Sequence, residues 1–196
     1  MTSTISKTRS ILIDVAQQLF AKQGVENTTM NDIAKASQRG RRTLYTYFSS
    51  KNDIYKAVIE SELNGLYKKL ETVIKRDISA DDKLILLAFT RLTAIKEVVT
   101  RNGTLKADFF RDIWQVETVR KEFDKKEIHY LESIIREGFE KGIFQLSSIK
   151  QTAELLHYAF KGLEVPAIRG VIKLDYNRKS DRELISNIVL KGLYTK

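Results

Sequence analysis

Apolar residues recur along this chain every three to four positions, the spacing that lines one side of an α-helix. Ile11, Val15 and Leu19 with Leu12, Ala16 and Phe20 form two adjacent i, i+4 rows. The same rhythm returns at Ile54, Val58, Leu63, Leu66, Leu70 and Val73, and at Ile128, Leu131, Ile135 and Phe139, while strand-like alternation is nowhere sustained. Helix starts are marked by pairs able to form a capping box, in which a Ser or Thr oxygen accepts from the third helical N–H and an acidic or amide side chain reaches back. Five pairs fit: Thr29 with Asp32, Ser50 with Asp53, Ser79 with Asp82, Ser148 with Gln151 and Ser180 with Glu183. Gly24, Gly103 and Gly142 stand where helices would end. The pattern predicts an all-α chain of about nine helices, near residues 5–23, 29–36, 40–47, 51–75, 81–101, 105–117, 119–141, 149–165 and 181–194.

These helices differ in length, and the difference divides the chain. Two very short helices follow a longer one in the first 50 residues, whereas long amphipathic helices suited to a bundle follow Lys51. The expectation is a small N-terminal domain, residues 1–50, and a larger C-terminal helical domain, residues 51–196. One proline and nine glycines in 196 residues leave too few turn formers for an all-β fold. The longest apolar run, Leu84 to Phe89, is far short of the roughly 20 residues that cross a bilayer, and the N-terminus lacks the apolar stretch of a signal peptide. A soluble protein without a membrane partner is expected. The absence of cysteine removes disulfides, thiolate metal sites and Cys nucleophiles, and favours a reducing cytoplasm.

Charge sharpens the division. The chain carries 34 Lys and Arg against 25 Asp and Glu, a net charge of +9, and residues 1–51 hold eight of those bases and three of those acids, a local excess of +5. Within that segment, Thr29-Met-Asn-Asp-Ile-Ala-Lys-Ala-Ser-Gln-Arg-Gly-Arg-Arg-Thr-Leu-Tyr-Thr-Tyr-Phe48 reads as a capped short helix, a turn, and a second short helix dense in Arg, Thr and Tyr. That is a helix-turn-helix pattern. A helix of this size fits the major groove of double-stranded DNA, where arginine can donate a bidentate pair to guanine while Thr, Tyr and backbone N–H groups hold phosphates.

The run from Ile11 to Lys51, with Ala16, Leu19-Phe20, Gly24, Thr28-Thr29, Asp32-Ile33-Ala34, Thr43-Leu44-Tyr45, Tyr47-Phe48 and Ser50-Lys51, resembles the DNA-binding domain of TetR-family transcriptional regulators. The resemblance implies that Thr29 contacts phosphate at the start of the second helix, and that Arg41, Arg42 and Thr43 face base edges or the backbone. It implies that Tyr45, Tyr47 and Lys51 contact phosphates, and that Ile33, Ala34, Leu44 and Phe48 form the small core. The chain departs from the family where the turn meets the recognition helix, with Ser37-Gln38-Arg39-Gly40-Arg41-Arg42 in place of a pattern close to Ala-Gly-Val-Ser-x-Gly. Arg39 replaces an apolar plug, Gly40 a capping Ser, and Arg42 a small residue near DNA. Arg39 then either snorkels from a modified core or reaches phosphate, and three arginines in four positions raise the electrostatic share of binding.

For the larger domain the resemblance implies a bundle with a cavity for a small-molecule effector, and a four-helix homodimer interface built from the last two helices of each subunit. Leu156, Phe160 and Leu163 on one of those helices and Leu184, Ile188, Val189 and Leu193 on the other are the seam candidates, unless those stripes face their own core. Phe89, Leu92, Phe109, Phe110, Ile113, Trp114, Tyr130, His157 and Tyr158 are the pocket candidates, apolar or aromatic groups with a few polar tips, with ordinary core packing as the alternative for each. No cofactor is expected. Glu154 and His157 supply one Glu-x-x-His step of the type used in di-iron bundles, but Lys126 occupies the matching position before His129, so the second half of a metal site is missing. No Gly-x-Gly and no Ser/His/acid spacing points to catalysis. The expected function is a sequence-specific DNA-binding regulator, probing a palindromic operator as a homodimer and released by a small molecule. The rival reading is an interaction adaptor on the same fold without an effector.

Overall fold

The computed structural model describes residues 2–101, 113–191 and 193. Nine helices are described: α1 (Thr2–Gln23), α2 (Met30–Ala36), α3 (Arg41–Tyr47), α4 (Lys51–Ile74), α5 (Ala80–Arg101), α6 (Ile113–Glu140), α7 (Ile149–Gly162), α8 (Glu164–Ile168) and α9 (Lys179–Leu190). Among the described residues there is no strand, and no helix is long and apolar enough to cross a membrane. The all-α class read from the sequence holds. The chain packs as two compact units, Met1–Asn64 with Val98–Lys121, and Gly65–Glu97 with Glu122–Lys196.

In the first unit the double row of α1 becomes a packed face, with Leu12, Ala16 and Phe20 fully buried. Phe20 meets Tyr55 of α4 edge to face, with ring centroids 6.1 Å apart, an arrangement that adds to the area buried. Ile33 and Ala34 of α2, Leu44 of α3 and Phe48 just beyond it complete this small core. Each Leu, Ile and Phe among them contributes roughly 1.5–3 kcal/mol by leaving water. Gly24 ends α1 at φ +85, and the Thr28 hydroxyl donates to the Gly24 carbonyl at 2.7 Å. That bond fixes the loop leading into α2.

In the second unit Leu66 and Leu70 of α4, Leu84 and Leu87 of α5, Phe123, Leu131 and Ile135 of α6, and Ala153 and Phe160 of α7 are buried. The end of α6 turns sharply. Gly142 takes φ +69, the N–H groups of Ile143 and Phe144 both donate to the Gly138 carbonyl, at 2.8 and 3.1 Å, and the buried Phe144 ring folds back onto Gly138. A Cβ at Gly138 would occupy the space of that ring.

Several boundaries differ from the sequence reading, each for a local reason. Gly103 and most of the 105–117 helix fall outside the described residues, and the expected break near residue 118 does not occur, because Glu117-Thr118 offers neither Gly nor Pro and α6 runs through from Ile113. The 149–165 helix stops at Gly162 and resumes as α8. Pro166 explains this, since it has no N–H to give the carbonyl four residues earlier, which is that of Gly162, and its ring would strike that carbonyl. Ser180 does not cap the last helix. That helix begins at Lys179 with Arg178 at the N-cap and no side-chain cap, and it ends at Leu190. Ser79 and Ser148 do cap their helices, accepting from the Asp82 and Gln151 N–H groups at 3.5 and 3.3 Å.

Candidate nucleic-acid interface

The α2 start carries the reciprocal capping box that the sequence predicts. The Asp32 N–H donates to the Thr29 hydroxyl at 3.1 Å, while the Thr29 N–H and hydroxyl donate to Asp32 Oδ2 at 2.9 and 2.7 Å. Donation first from the Thr29 side chain and then from its backbone holds the Asp32 carboxyl below its usual range. Thr29 is exposed, so it faces solvent while its hydroxyl is committed to fixing the direction of α2.

The turn between α2 and α3 answers the question raised by the altered Ser37–Arg42 segment. Gln38 sits at φ +53 in the left-handed region, its N–H donates to the Lys35 carbonyl at 3.1 Å, and the Arg39 N–H donates to the Ala34 carbonyl at 3.0 Å. This pair of bonds is the Schellman closure of a helix end. The turn is thus kept without glycine at its left-handed position, where a non-glycine residue costs about 1–2 kcal/mol. Arg39 is exposed and plugs no core.

Gly40 opens α3 at φ −64 and ψ 148 without a side-chain cap. Leu44 is the one fully buried side chain of this seven-residue helix, and the other positions are turned outward by its anchorage. Arg41, Arg42 and Tyr45 are exposed and Thr43 and Tyr47 half-buried. Arg9 of α1 lies over the Phe48 ring, its guanidinium carbon 5.3 Å from the centroid. Lys51, half-buried at the head of α4, turns two of its three ammonium protons inward, donating to the Val25 and Glu26 carbonyls at 2.7 and 3.2 Å. It clamps the α1–α2 loop, a role that sequence spacing does not reveal because the partners are backbone atoms some 25 residues away.

Of the described residues expected to line a bundle pocket, Phe89 and Leu92 share one cleft, while Tyr130, His157 and Tyr158 lie elsewhere. Phe89 lies in α5 at the wall of a cleft, Tyr130 packs edge to face on Tyr67 with centroids 6.3 Å apart, and Tyr158 is exposed on α7. Phe109 and Phe110, and the side chains of Ile113 and Trp114, fall outside the described residues. His157 is fully buried in an ionic cluster of the second unit. Its Nδ1 faces Glu127 Oε2 at 3.1 Å and its Nε2 faces Asp124 Oδ1 at 3.5 Å. Lys161 pairs with the other Asp124 oxygen at 2.7 Å, and the buried Arg91 pairs with Glu127 and, at 2.7 Å, with Glu164. Burial lowers the pKa of His157, but the two facing carboxylates outweigh it and raise the pKa to about 8. The partner acids come from α6, and Glu154 of the Glu-x-x-His step is not among them. Asp124, Glu127 and His157 bring ligand-type atoms within 4.8 Å of one another. The donor oxygens of this cluster are already paired with the chain's own cations, Arg91 with Glu127 and Glu164 and Lys161 with Asp124, and His157 lies between two of the carboxylates.

Of the seam candidates, Leu184 and Ile188 are 50 % and 71 % exposed, Leu156, Leu163 and Val189 are half-buried, and Phe160 and Leu193 lie in the subunit's own core. Leu155, one position from a candidate, is 72 % exposed.

A capped helix, a tight turn and a short outward-facing basic helix, followed among the described residues by further helices only, define a helix-turn-helix DNA-binding protein. Residues 12–58 match the family model of bacterial regulatory proteins, tetR family. The regulator QacR of Staphylococcus aureus is 22 % identical over 158 residues, 78 % of this chain and 81 % of that protein. The repressor KstR2 of Rhodococcus jostii is 32 % identical over 94 residues, 48 % of this chain and 46 % of that protein. A transcriptional regulator from Cytophaga hutchinsonii superposes with a TM-score of 0.73 at 25 % identity, over 95 % of this chain and 98 % of that one. Residues 12–58 are thus those of a tetR-family DNA-binding domain, and over its length the chain is similar to transcriptional regulators of that fold.

Proposed function

We propose that this regulator is a repressor that binds a palindromic operator as a homodimer and releases it when a small molecule occupies the C-terminal helices. Residues 1–50 read DNA, and residues 51–196 carry the effector site and the dimer seam. The observation that carries the DNA-reading part is α3 itself, a seven-residue helix held by Leu44 with Arg41, Arg42 and Tyr45 exposed. In this reading Arg41 and Arg42 read base edges, and Thr29, Arg39, Thr43, Tyr45, Tyr47 and Lys51 position the domain on phosphates. Repression is supported by the likeness to a repressor, and no catalytic step is required. The seam is supported by Leu155 and Tyr158 on α7 and Leu184 and Ile188 on α9, apolar groups that one copy leaves in water. Two-fold pairing lets two recognition helices meet successive major grooves.

The effector acts only through a differential affinity for two states. A coupling of about 1–3 kcal/mol weakens operator binding roughly 5- to 150-fold. Helix α4 is suited to carry it, since it starts four residues after α3 and continues to Ile74. The test is a gel-shift titration with DNA upstream of the protein's own gene, with and without candidate effectors. Preferential binding of one palindrome, lost on Arg41→Ala, is expected. Equal affinity for every fragment and random DNA would overturn the specific-regulator reading.

A further inference from the structure

Residues of α5, of α8 and of the connection between α8 and α9 enclose a cavity of about 560 Å³, within the size range of small-molecule sites. Its wall is apolar. Phe89 and Leu92 are buried and Ile172 is half-buried, and Tyr176 meets Phe89 edge to face with centroids 5.6 Å apart. Tyr176 is held from behind by Arg182, whose guanidinium lies 5.5 Å from the ring centroid and donates to the Tyr176 carbonyl at 2.6 Å.

The rim carries charge. Arg178 is answered by Asp181 at 3.2 Å and donates to the Lys173 carbonyl at 3.1 Å. Asp175 is the one carboxylate in the lining, and one of its oxygens already accepts the Asn177 N–H at 2.9 Å. Lys96 and Lys173 are exposed and have no ion-pair partner among the described residues. Two unpaired cations against one carboxylate leave the mouth with one positive charge in excess.

We infer that this cleft binds a monoanionic amphipathic organic molecule, its aromatic or hydrocarbon body against Phe89, Leu92 and Tyr176 and its carboxylate or sulfonate at the Lys96 and Lys173 rim. An organic cation would meet the excess positive charge with no aromatic cage to offset it, and a small polar anion would leave the apolar wall in water. The inference deepens the proposed effector response by giving the effector a place and a charge.

The full chain is titrated with two fluorescent probes of similar shape, anilinonaphthalene sulfonate, which is anionic, and phenylnaphthylamine, which is neutral. The rim variant Lys96→Gln/Lys173→Gln changes only exposed side chains, so folding is preserved. It is expected to weaken the sulfonate about fivefold, more at low salt, and to leave the neutral probe unchanged. Unchanged sulfonate binding in this variant, or equal losses for both probes, overturns the inference. So does loss of the sulfonate on Ile188→Arg with the rim intact, because that places the probe on the exposed apolar face. Gel shifts on the same proteins keep the two readings apart: absence of specific DNA binding removes the regulator reading while the probe titrations still decide the cleft.

Discussion

Gln38 carries a strain that a single substitution would relieve. At φ +53 it pays the left-handed penalty that glycine avoids, and Gln38→Gly is expected to raise unfolding free energy by about 0.5–1 kcal/mol, measured by urea denaturation, with DNA affinity unchanged. A decrease in stability would mean that the longer side chain contributes a contact worth more than the strain. Lys51 and Arg41 separate in the same way. Arg41→Ala should relax base preference at one operator position with little change in stability. Lys51→Ala frees the Val25 and Glu26 carbonyls, so it should lower thermal stability and also weaken all DNA sequences, reducing the salt slope by about 1. Identical effects of the two variants on every sequence would show Arg41 to be a phosphate contact. The Thr29 and Asp32 cap was legible in sequence because its partners are three residues apart. The Lys51 clamp was not, because a carbonyl acceptor carries no sequence signature.

At the scale of helices, periodicity located the buried faces well. The Leu12, Ala16 and Phe20 row of α1 and the Leu66, Leu70 and Val73 stripe of α4 are buried as read, while the Ile11, Val15 and Leu19 row is half-buried, since a 3.6-residue repeat leaves one side of a helix to pack. Chain breaks were read less well, because they depend on single residues. Pro166 parts α7 from α8, and Gly138 accepts the Phe144 ring where no Cβ fits. Gly138→Ala is therefore expected to destabilise by about 1–3 kcal/mol through overpacking, and a calorimetric melting temperature equal to that of the parent would exclude this packing. Ile172, Leu174 and Tyr176 alternate with Lys173 and Asp175, a period-two pattern too short to signal an element, yet it is this connection that closes the cleft against α5.

For the molecule as a whole, stability should depend on pH through His157. Its pKa is raised to about 8 from an ordinary 6.5, so its contribution, about 2 kcal/mol, is complete below pH 6.5 and is lost as pH rises through 8. Urea midpoints should fall between pH 6 and pH 9 in the parent and stay flat in His157→Gln. A parent that is equally stable at both ends would show that folding does not raise the pKa of His157. Arg91→Met strips Glu127 and Glu164 of their buried cation and should cost about 3–5 kcal/mol, read from the same midpoints. Association should respond to the exposed apolar groups: Ile188→Arg is expected to shift sedimentation from dimer to monomer and to weaken operator binding with it.

The sequence by itself determined the helical class, the capped helix-turn-helix with its basic second helix, and the concentration of charge in the first 51 residues. These are local properties, carried by residues within a few positions of one another. Only the tertiary structure decided that His157 belongs with Asp124 and Glu127, that Phe160 and Leu193 lie in the core while Leu155 and Ile188 face water, and that Lys96 and Lys173 overlook one cleft. Such groupings join residues dozens of positions apart, and the rotation of each packed helix about its own axis sets which side chains meet. Amphipathic spacing predicts that a helix has a buried face, but its neighbours decide where that face ends.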